Sequence, residues 1–283
     1  MSAGRIERAV LTAAGPDQRE LPLQTLVGPG GERSSVLRRV AGEALAAGVR
    51  EVAVVIHPDD REAYARAAGE LAESLTFVPQ AEPRGYAHAL ACAREFAGDE
   101  PFLHLVGDHV WLSRADAGCA EQLVEVAAAE DCTVAAVQAT RERRLSAFGA
   151  VGGTPVKNRP GLFAVEEVLE KPSPTEAEVR LHVAGLRAGH YLCFFGMHVL
   201  SPGIWSCLEP ETESAGGTLS GALARLAGRE RVLAFEPRGV RYDVGSRYGL
   251  LLAQLGQALA GEDREEVLAE LVELLATRDP SRP

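Results

Sequence analysis

Two aspartates stand where a hard cation could be held. Asp108 follows the apolar run Phe102 to Val106 across a single glycine, and Asp243 sits two residues before Gly245. A carboxylate at a strand end, just before a loop, suits an oxygen-seeking ion such as Mg2+. The same placement suits a turn or helix-capping aspartate. A third candidate is the pair Glu170-Lys171, which ends the run Leu162 to Leu169 ahead of Pro172. An ammonium is a point charge suited to phosphate, although a lysine there also reads as a solvated strand end. Lysine is scarce, with Lys157 and Lys171 the only two, and this singles Lys171 out. The run Ala9 to Ala14 ends at Gly15-Pro16 and leads to Arg19. A tight turn there aims backbone N–H groups at phosphate, with Arg19 as charged partner. Alone, it reads as an ordinary strand-to-loop turn.

Other chemistries find no pattern. The histidines (His57, His88, His104, His109, His182, His190 and His198) show no metal-ligand spacing of the HxxxH kind and read as surface or core residues. Ser34, Ser35 and Ser220 lie in no nucleophile-elbow motif. The five cysteines include no CxxC pair, so reduced, buried thiols are expected rather than a metal cluster or disulfide framework.

The elements that must position these groups follow from periodicity. Ala9 to Ala14, Val52 to Ile56, Leu75 to Val78, Phe102 to Val106 and Thr133 to Ala139 are short apolar runs and read as buried strands. Between them, Ser35 to Ala47, Asp59 to Glu73, Arg84 to Phe96 and Ala115 to Glu130 read as helices, with Gly48 at a helix C-terminus. This alternation predicts an α/β, Rossmann-like three-layer sandwich with a mainly parallel sheet and helices on both faces. Beyond Ala139 the pattern loosens. Strands are expected at Phe148 to Gly152, Leu162 to Leu169, Leu192 to Leu200 and Val232 to Phe235, and two amphipathic helices over Ser246 to Thr277. No Pro, Gly or Ser linker divides the chain. One composite domain over 1–283 is expected, with halves 1–140 and 141–245 and a helical segment 246–277.

The 283 residues suffice for a sizeable core, and the net charge of -11 disfavours nucleic acid as a partner. No apolar run reaches membrane-spanning length and the first residues lack a signal-peptide core, so a cytoplasmic protein without membrane partners is expected.

In their order along the chain, these pieces resemble the bacterial UTP–glucose-1-phosphate uridylyltransferases, within the sugar-1-phosphate nucleotidyltransferases, over roughly Ala9 to Ala260. That family opens with a strand, Ala-Gly-x-Gly-Thr-Arg and a Leu-Pro, matched by Ala14-Gly15-Pro16-Asp17-Gln18-Arg19-Glu20-Leu21-Pro22. A base-reading glutamine and a Gly-His-Ala helix start are matched by Gln80 and Arg84-Gly85-Tyr86-Ala87-His88-Ala89. The metal-binding aspartate is matched by Asp108, a Tyr-Gly-Val strand by Phe148-Gly149-Ala150-Val151, and Val-Glu-Lys-Pro by Leu169-Glu170-Lys171-Pro172. Gly196 to Trp205 matches Gly-x-x-Val-Leu-Ser-x-x-Ile-Trp, and Asp243-Val244-Gly245 matches the closing Asp-x-Gly.

The resemblance implies the nucleotide-diphospho-sugar transferase fold and an enzyme that joins an NTP, UTP by resemblance, to a sugar 1-phosphate such as glucose 1-phosphate. Ala13, Ala14, Gly15, Gln80 and Gly85 would then hold the nucleotide. Gly149, Glu170 and Lys171 would hold the sugar phosphate, and Asp108 and Asp243 would hold Mg2+. Arg19, Lys171 and Asp108 would carry the catalysis, and a homo-oligomer is plausible by the same resemblance.

The sequence departs from the family at two places. Asp17 and Gln18 replace glycine and threonine of the phosphate loop, and Asp17 adds negative charge where a triphosphate would lie. The segment Val27 to Ser35 lacks the family's phosphate-contacting lysine, with Arg33 its only cation. These departures motivate one alternative, a relative that binds nucleotide or nucleotide sugar without turnover; a second is a cytidylyl- or guanylyltransferase acting on another phosphorylated substrate, told apart by the base pocket around Gln80.

Overall fold

A computed structural model describes residues 5–213 and 217–277. The first half alternates as the apolar runs require. Strand β1 (Arg8–Thr12) is followed by a small hairpin, β2 (Thr25–Val27) and β3 (Arg33–Ser35), and by helix α1 (Val36–Ala46). Ser35 caps α1, its hydroxyl accepting from the Arg38 N–H at 3.0 Å. Then come β4 (Glu51–Ile56), α2 (Arg61–Ala68), β5 (Leu75–Pro79), α3 (Tyr86–Cys92), α4 (Arg94–Ala97) and β6 (Phe102–Val106). Next are β7 (His109–Ser113), α5 (Cys119–Glu130) and β8 (Thr133–Arg141).

The second half holds β9 (Ala150–Pro155), β10 (Leu162–Leu169), α6 (Pro174–Arg180), β11 (His190–Leu200), α7 (Ile204–Glu213) and α8 (Leu219–Ala227). It closes with β12 (Val232–Phe235), β13 (Gly239–Asp243), α9 (Gly249–Ala258) and α10 (Arg264–Ala276). No helix among the described residues is long and apolar enough to cross a membrane.

Strands from both halves form one nine-stranded sheet in the order β5-β4-β1-β6-β11-β8-β12-β10-β9. Only β10 and β11 run against the other seven strands, so the sheet is mixed and mainly parallel, as the alternation predicts. Two apolar layers sandwich it. One joins Leu11, Leu37, Val54, Leu105 and Leu123, and the other Val10, Leu90, Phe102, Leu200, Trp205 and Leu223.

The sheet parts at one point. The C-terminal half of β11 pairs with β6, from Met197 to Leu200, whereas Leu192 and Cys193 pair with β9. Between them lies a bulge at Phe194 to His198, with Gly196 at φ +87°. A Cβ on Gly196 would lie 2.8 Å from Val106 and 3.2 Å from His109, so glycine is required by conformation and by space. The gap between the end of β6 and the start of β9 is where an open α/β sheet leaves room for a ligand.

Three local features depart from the periodic reading. The expected helix over Arg84 to Phe96 starts at Tyr86 and breaks at Ala93 into α3 and α4. The loop expected from Val27 to Ser35 is largely the β2–β3 hairpin, held to α9 by Gln254, which bonds both N and O of Val27. Strands β7 and β13, absent from the periodic reading, pair antiparallel as a separate ribbon with His109 opposite Asp243.

Candidate active site

A cavity of about 420 Å³ opens at the gap beside β11. One wall comes from Thr12, Ala14, Gly15 and Gln18 at and after the end of β1, with Gln80, Gly85 and Tyr86 near the start of α3. Asp108 and His109 follow β6. The far wall is Phe148, Gly149, Glu170, Lys171, Phe194 and Ser220. Ala14, Gly15, Gln80, Gly85, Asp108, Gly149, Glu170 and Lys171 thus meet in one cavity although they are scattered along the chain.

The loop after β1 is a tight turn in which Gly15 O accepts from the N–H groups of Gln18 and Arg19, both at 2.9 Å. Arg19 is not among the cavity residues. Its Nη2 lies 2.6 Å from Asp60 Oδ1, and the backbone oxygens of Arg19 and Ala13 both lie within 3.0 Å of the Tyr64 hydroxyl. Ala13 likewise stands behind the wall. Asp17 is exposed and does not line the cavity, so its charge faces solvent. Arg33 is exposed on β3, opposite Val27, and does not line the cavity either.

Gln80 is buried, 3 % exposed. Its amide nitrogen lies 3.3 Å from Gly85 O and 2.8 Å from His88 Nδ1, which leaves the amide oxygen without a partner among the described residues. Arg84 Nη2 lies 2.8 Å from the other nitrogen of His88. A neutral imidazole accepts at one nitrogen only, so Arg84 and Gln80 compete for it. Burial and the nearby Arg84 charge hold the His88 pKa below its usual value.

Asp108, His109 and Asp243 bring one ligand atom each within 4.8 Å of one another. The β7–β13 ribbon does this: it sets His109 against Asp243, and Val244 N–H donates to Asp108 O at 2.9 Å. Burial acts to raise the Asp108 pKa, but the His109 charge and its hydrogen bond (Nδ1 to Oδ1, 2.8 Å) outweigh it and hold the carboxyl below its usual range. Asp243 Oδ1 accepts from the N–H groups of Gly245 and Ser246 at 3.0 and 3.2 Å, so the cap and the candidate ligand are the same residue. Two carboxylates and an imidazole at this spacing suit a divalent cation.

On the far wall, Ser220 Oγ donates to Glu170 Oε2 at 2.5 Å, and Lys171 Nζ lies 3.9 Å from Glu170 Oε1. Lys171 has φ +45°, a left-handed conformation uncommon for a residue with a side chain. Such backbone strain gathers at functional sites. Beneath this wall Arg241, 7 % exposed, stacks its guanidinium 3.7 Å over the Phe148 ring and donates to Phe194 O. Burial lowers its pKa to about 10.

Lys171 is the only lysine or arginine among the described cavity residues, facing the carboxylates of Asp108 and Glu170. Such a wall repels a polyphosphate unless a cation is bound beside it. Sequence reasoning missed His109, Ser220, Asp60 and Arg241. His109 directly follows Asp108, but its partner Asp243 lies across a two-stranded ribbon and at no HxxxH spacing. Ser220 lies in no nucleophile motif, and its bond to Glu170, 50 residues away, leaves no mark in local spacing.

A family model described as nucleotidyl transferase matches residues 23–255, beginning just past the loop that follows β1. UTP–glucose-1-phosphate uridylyltransferase 2 of Staphylococcus saprophyticus is 31% identical over 71% of this chain, and the match spans 65% of that relative's length. UTP–glucose-1-phosphate uridylyltransferase of Bacillus subtilis is 26% identical over 97% of this chain and 99% of its own. Among solved structures, a UDP-glucose pyrophosphorylase complexed with UDP-glucose superimposes with TM-score 0.74 at 21% identity, over 89% of this chain and 98% of that one. A UTP-bound UGPase from Acinetobacter baumannii gives TM-score 0.74 at 21% identity, over 95% and 99%. At that identity the likeness speaks to the fold, which is that of these neighbours. With the sheet, the cavity at its parting and a match over most of its length, the chain belongs to the nucleotidyl transferase family.

Proposed function

We propose that this chain joins UTP to a hexose 1-phosphate, read as glucose 1-phosphate, forming a nucleotide sugar and releasing pyrophosphate. The observation that carries the reading is Asp108 and Lys171 in one cavity, on either side of the gap beside β11. The named relatives, UTP–glucose-1-phosphate uridylyltransferases, support these substrates.

A phosphate oxygen of the sugar phosphate attacks the α-phosphorus of UTP, and the bond from that phosphorus to the β-phosphate breaks. Catalysis of this kind is mainly positioning and charge neutralisation. Lys171 holds the attacking phosphate, and Glu170, fixed by Ser220, accepts from sugar hydroxyls. Gly15 and its neighbours give close backbone approach to the triphosphate, and Gln80 offers an amide edge to the base. Asp108 and Asp243 would hold a divalent cation, and their carboxylate oxygens suit a hard ion such as Mg2+. When bound, that cation neutralises phosphate charge that the carboxylate-rich wall cannot.

The test is pyrophosphate release with each NTP against glucose 1-phosphate and other sugar 1-phosphates, with Mg2+ and with EDTA. Metal-dependent release with UTP and glucose 1-phosphate is expected. No release with any pair, from protein whose melting temperature still rises with UTP, overturns the reading in favour of a binding protein.

A further inference from the structure

We propose that His109 is the third protein ligand of the cation at Asp108 and Asp243, and that this nitrogen makes the site prefer Mn2+ to Mg2+. The inference rests on the nucleotidyl-transfer reading of the cavity.

Three observations carry it. First, His109 stands directly opposite Asp243 in the antiparallel ribbon, so both side chains project to the same face, beside Asp108. Second, His109 and Asp108 stand at the separation of adjacent ligands, with Asp243 close by. Two adjacent ligands of an octahedral ion, each about 2.1 Å from it, lie about 3.0 Å apart. His109 Nδ1 and Asp108 Oδ1 are 2.8 Å apart, and the atoms of all three residues lie within 4.8 Å. Ligation through Nδ1 puts the ion in the place of the hydrogen bond to Asp108, with the ring's N–H at Nε2.

Third, the ring is held. His109 is 9 % exposed, with Trp111 at 6.3 Å between centroids and the bare Cα of Gly196 beside its Cδ2 edge. A pre-set ligand needs no reordering when the ion arrives. Asp243 uses only Oδ1 in its turn, and its other oxygen has no partner among the described residues.

The selectivity follows from donor type. Carboxylate oxygens serve Mg2+ and Mn2+ alike, whereas imidazole favours ions further along the transition series.

Pulsed electron paramagnetic resonance of Mn2+ bound to the full chain, with and without UTP, reads ligation directly. The expected spectrum carries a nitrogen coupling that changes isotope pattern when the protein is grown with 15N-histidine, and that is absent in His109→Asn. In the same titration, His109→Asn should weaken Mn2+ by about 10-fold or more, and wild type should need a large excess of Mg2+ to release it. Bound Mn2+ with no histidine coupling, in protein that releases pyrophosphate, overturns the role of His109 and leaves the reaction standing. No Mn2+ binding even with UTP overturns both. The wild-type spectrum decides the matter even if His109→Asn folds poorly.

Discussion

Arg19 Nη2 and Asp60 Oδ1 form a partly buried ion pair at 2.6 Å, and the second Asp60 oxygen is buried without a partner among the described residues. This pair takes the one arginine of the loop after β1 away from the cavity. To steady a leaving pyrophosphate, Arg19 must exchange Asp60 for the phosphate. Asp60→Asn loosens the hold without removing the loop's other contacts. The expected result is kcat within about threefold of wild type in Asp60→Asn, against a loss of about 100-fold in kcat/KM for Arg19→Ala. Equal losses in the two variants would mean that Arg19 serves only to anchor the loop.

Gly149 marks how closely the wall proposed to hold the sugar is built. A Cβ there would fall inside van der Waals distance of Ser220 Oγ, the Phe194 ring and the Glu170 carboxylate. Gly149→Ala should push Glu170 off Ser220 and raise KM for the sugar phosphate by about 10-fold or more. The thermal shift on UTP should stay, because the nucleotide wall is untouched. Steady-state kinetics with each substrate varied separately, beside thermal shifts, checks this. A rise confined to KM for UTP would count against the assignment of the two walls.

Much of this was legible in the sequence, and the rest has identifiable physical reasons. Apolar runs such as Val52 to Ile56 announce strands buried on both faces, so the sheet could be read. Asp108, Glu170 and Lys171 stand at ends of such runs and could be read with them. Strands β7 and β13 escape because His109 to Ser113 and Gly239 to Asp243 mix polar and apolar residues in a two-stranded ribbon. Their register alone brings His109 to Asp243, and no local spacing encodes it. Asp60 escaped for a similar reason: its place beside Arg19 depends on how the turn before α2 packs on the loop after β1.

Lys171 carries its ammonium from a strained backbone position, φ +45°. A left-handed conformation costs a residue with a Cβ roughly 1 kcal/mol. Glycine does not meet that cost, although it loses more backbone entropy on folding. Lys171→Gly should therefore leave the melting temperature unchanged or raise it by a degree or two, about 2–4 °C per kcal/mol for a chain of this size. Activity should fall about 100-fold or more, and Lys171→Arg should not restore it, because a planar fork does not replace a point charge at this position. Calorimetry paired with pyrophosphate release tests both halves. A clear fall in melting temperature would show that Lys171 holds the fold rather than the phosphate.

His104 and His198 face each other across β6 and β11 with their Nδ1 atoms 3.4 Å apart, and both are almost wholly buried. His104 Nε2 reaches the Thr12 and Tyr86 hydroxyls at 3.2 and 3.3 Å, while His198 Nε2 has no partner among the described residues. Burial, with the second imidazole adding repulsion at His104, pushes His104 well below its usual pKa, and burial pushes His198 down to about 3. In the unfolded chain both titrate near pH 6.5. Below that value the unfolded chain takes up protons that the folded chain refuses. The stability is therefore full above about pH 7 and declines as pH falls from about 6.5 toward 3. The loss approaches about 1.4 kcal/mol per histidine for each pH unit. Replacing both by glutamine keeps polar groups at the two positions and removes the basic nitrogens. The melting temperature of wild type should drop more steeply between pH 7.5 and 5.5 than that of the double variant, measured by calorimetry in matched buffers. Parallel slopes would show that the acid sensitivity of this fold lies elsewhere, among its carboxylates.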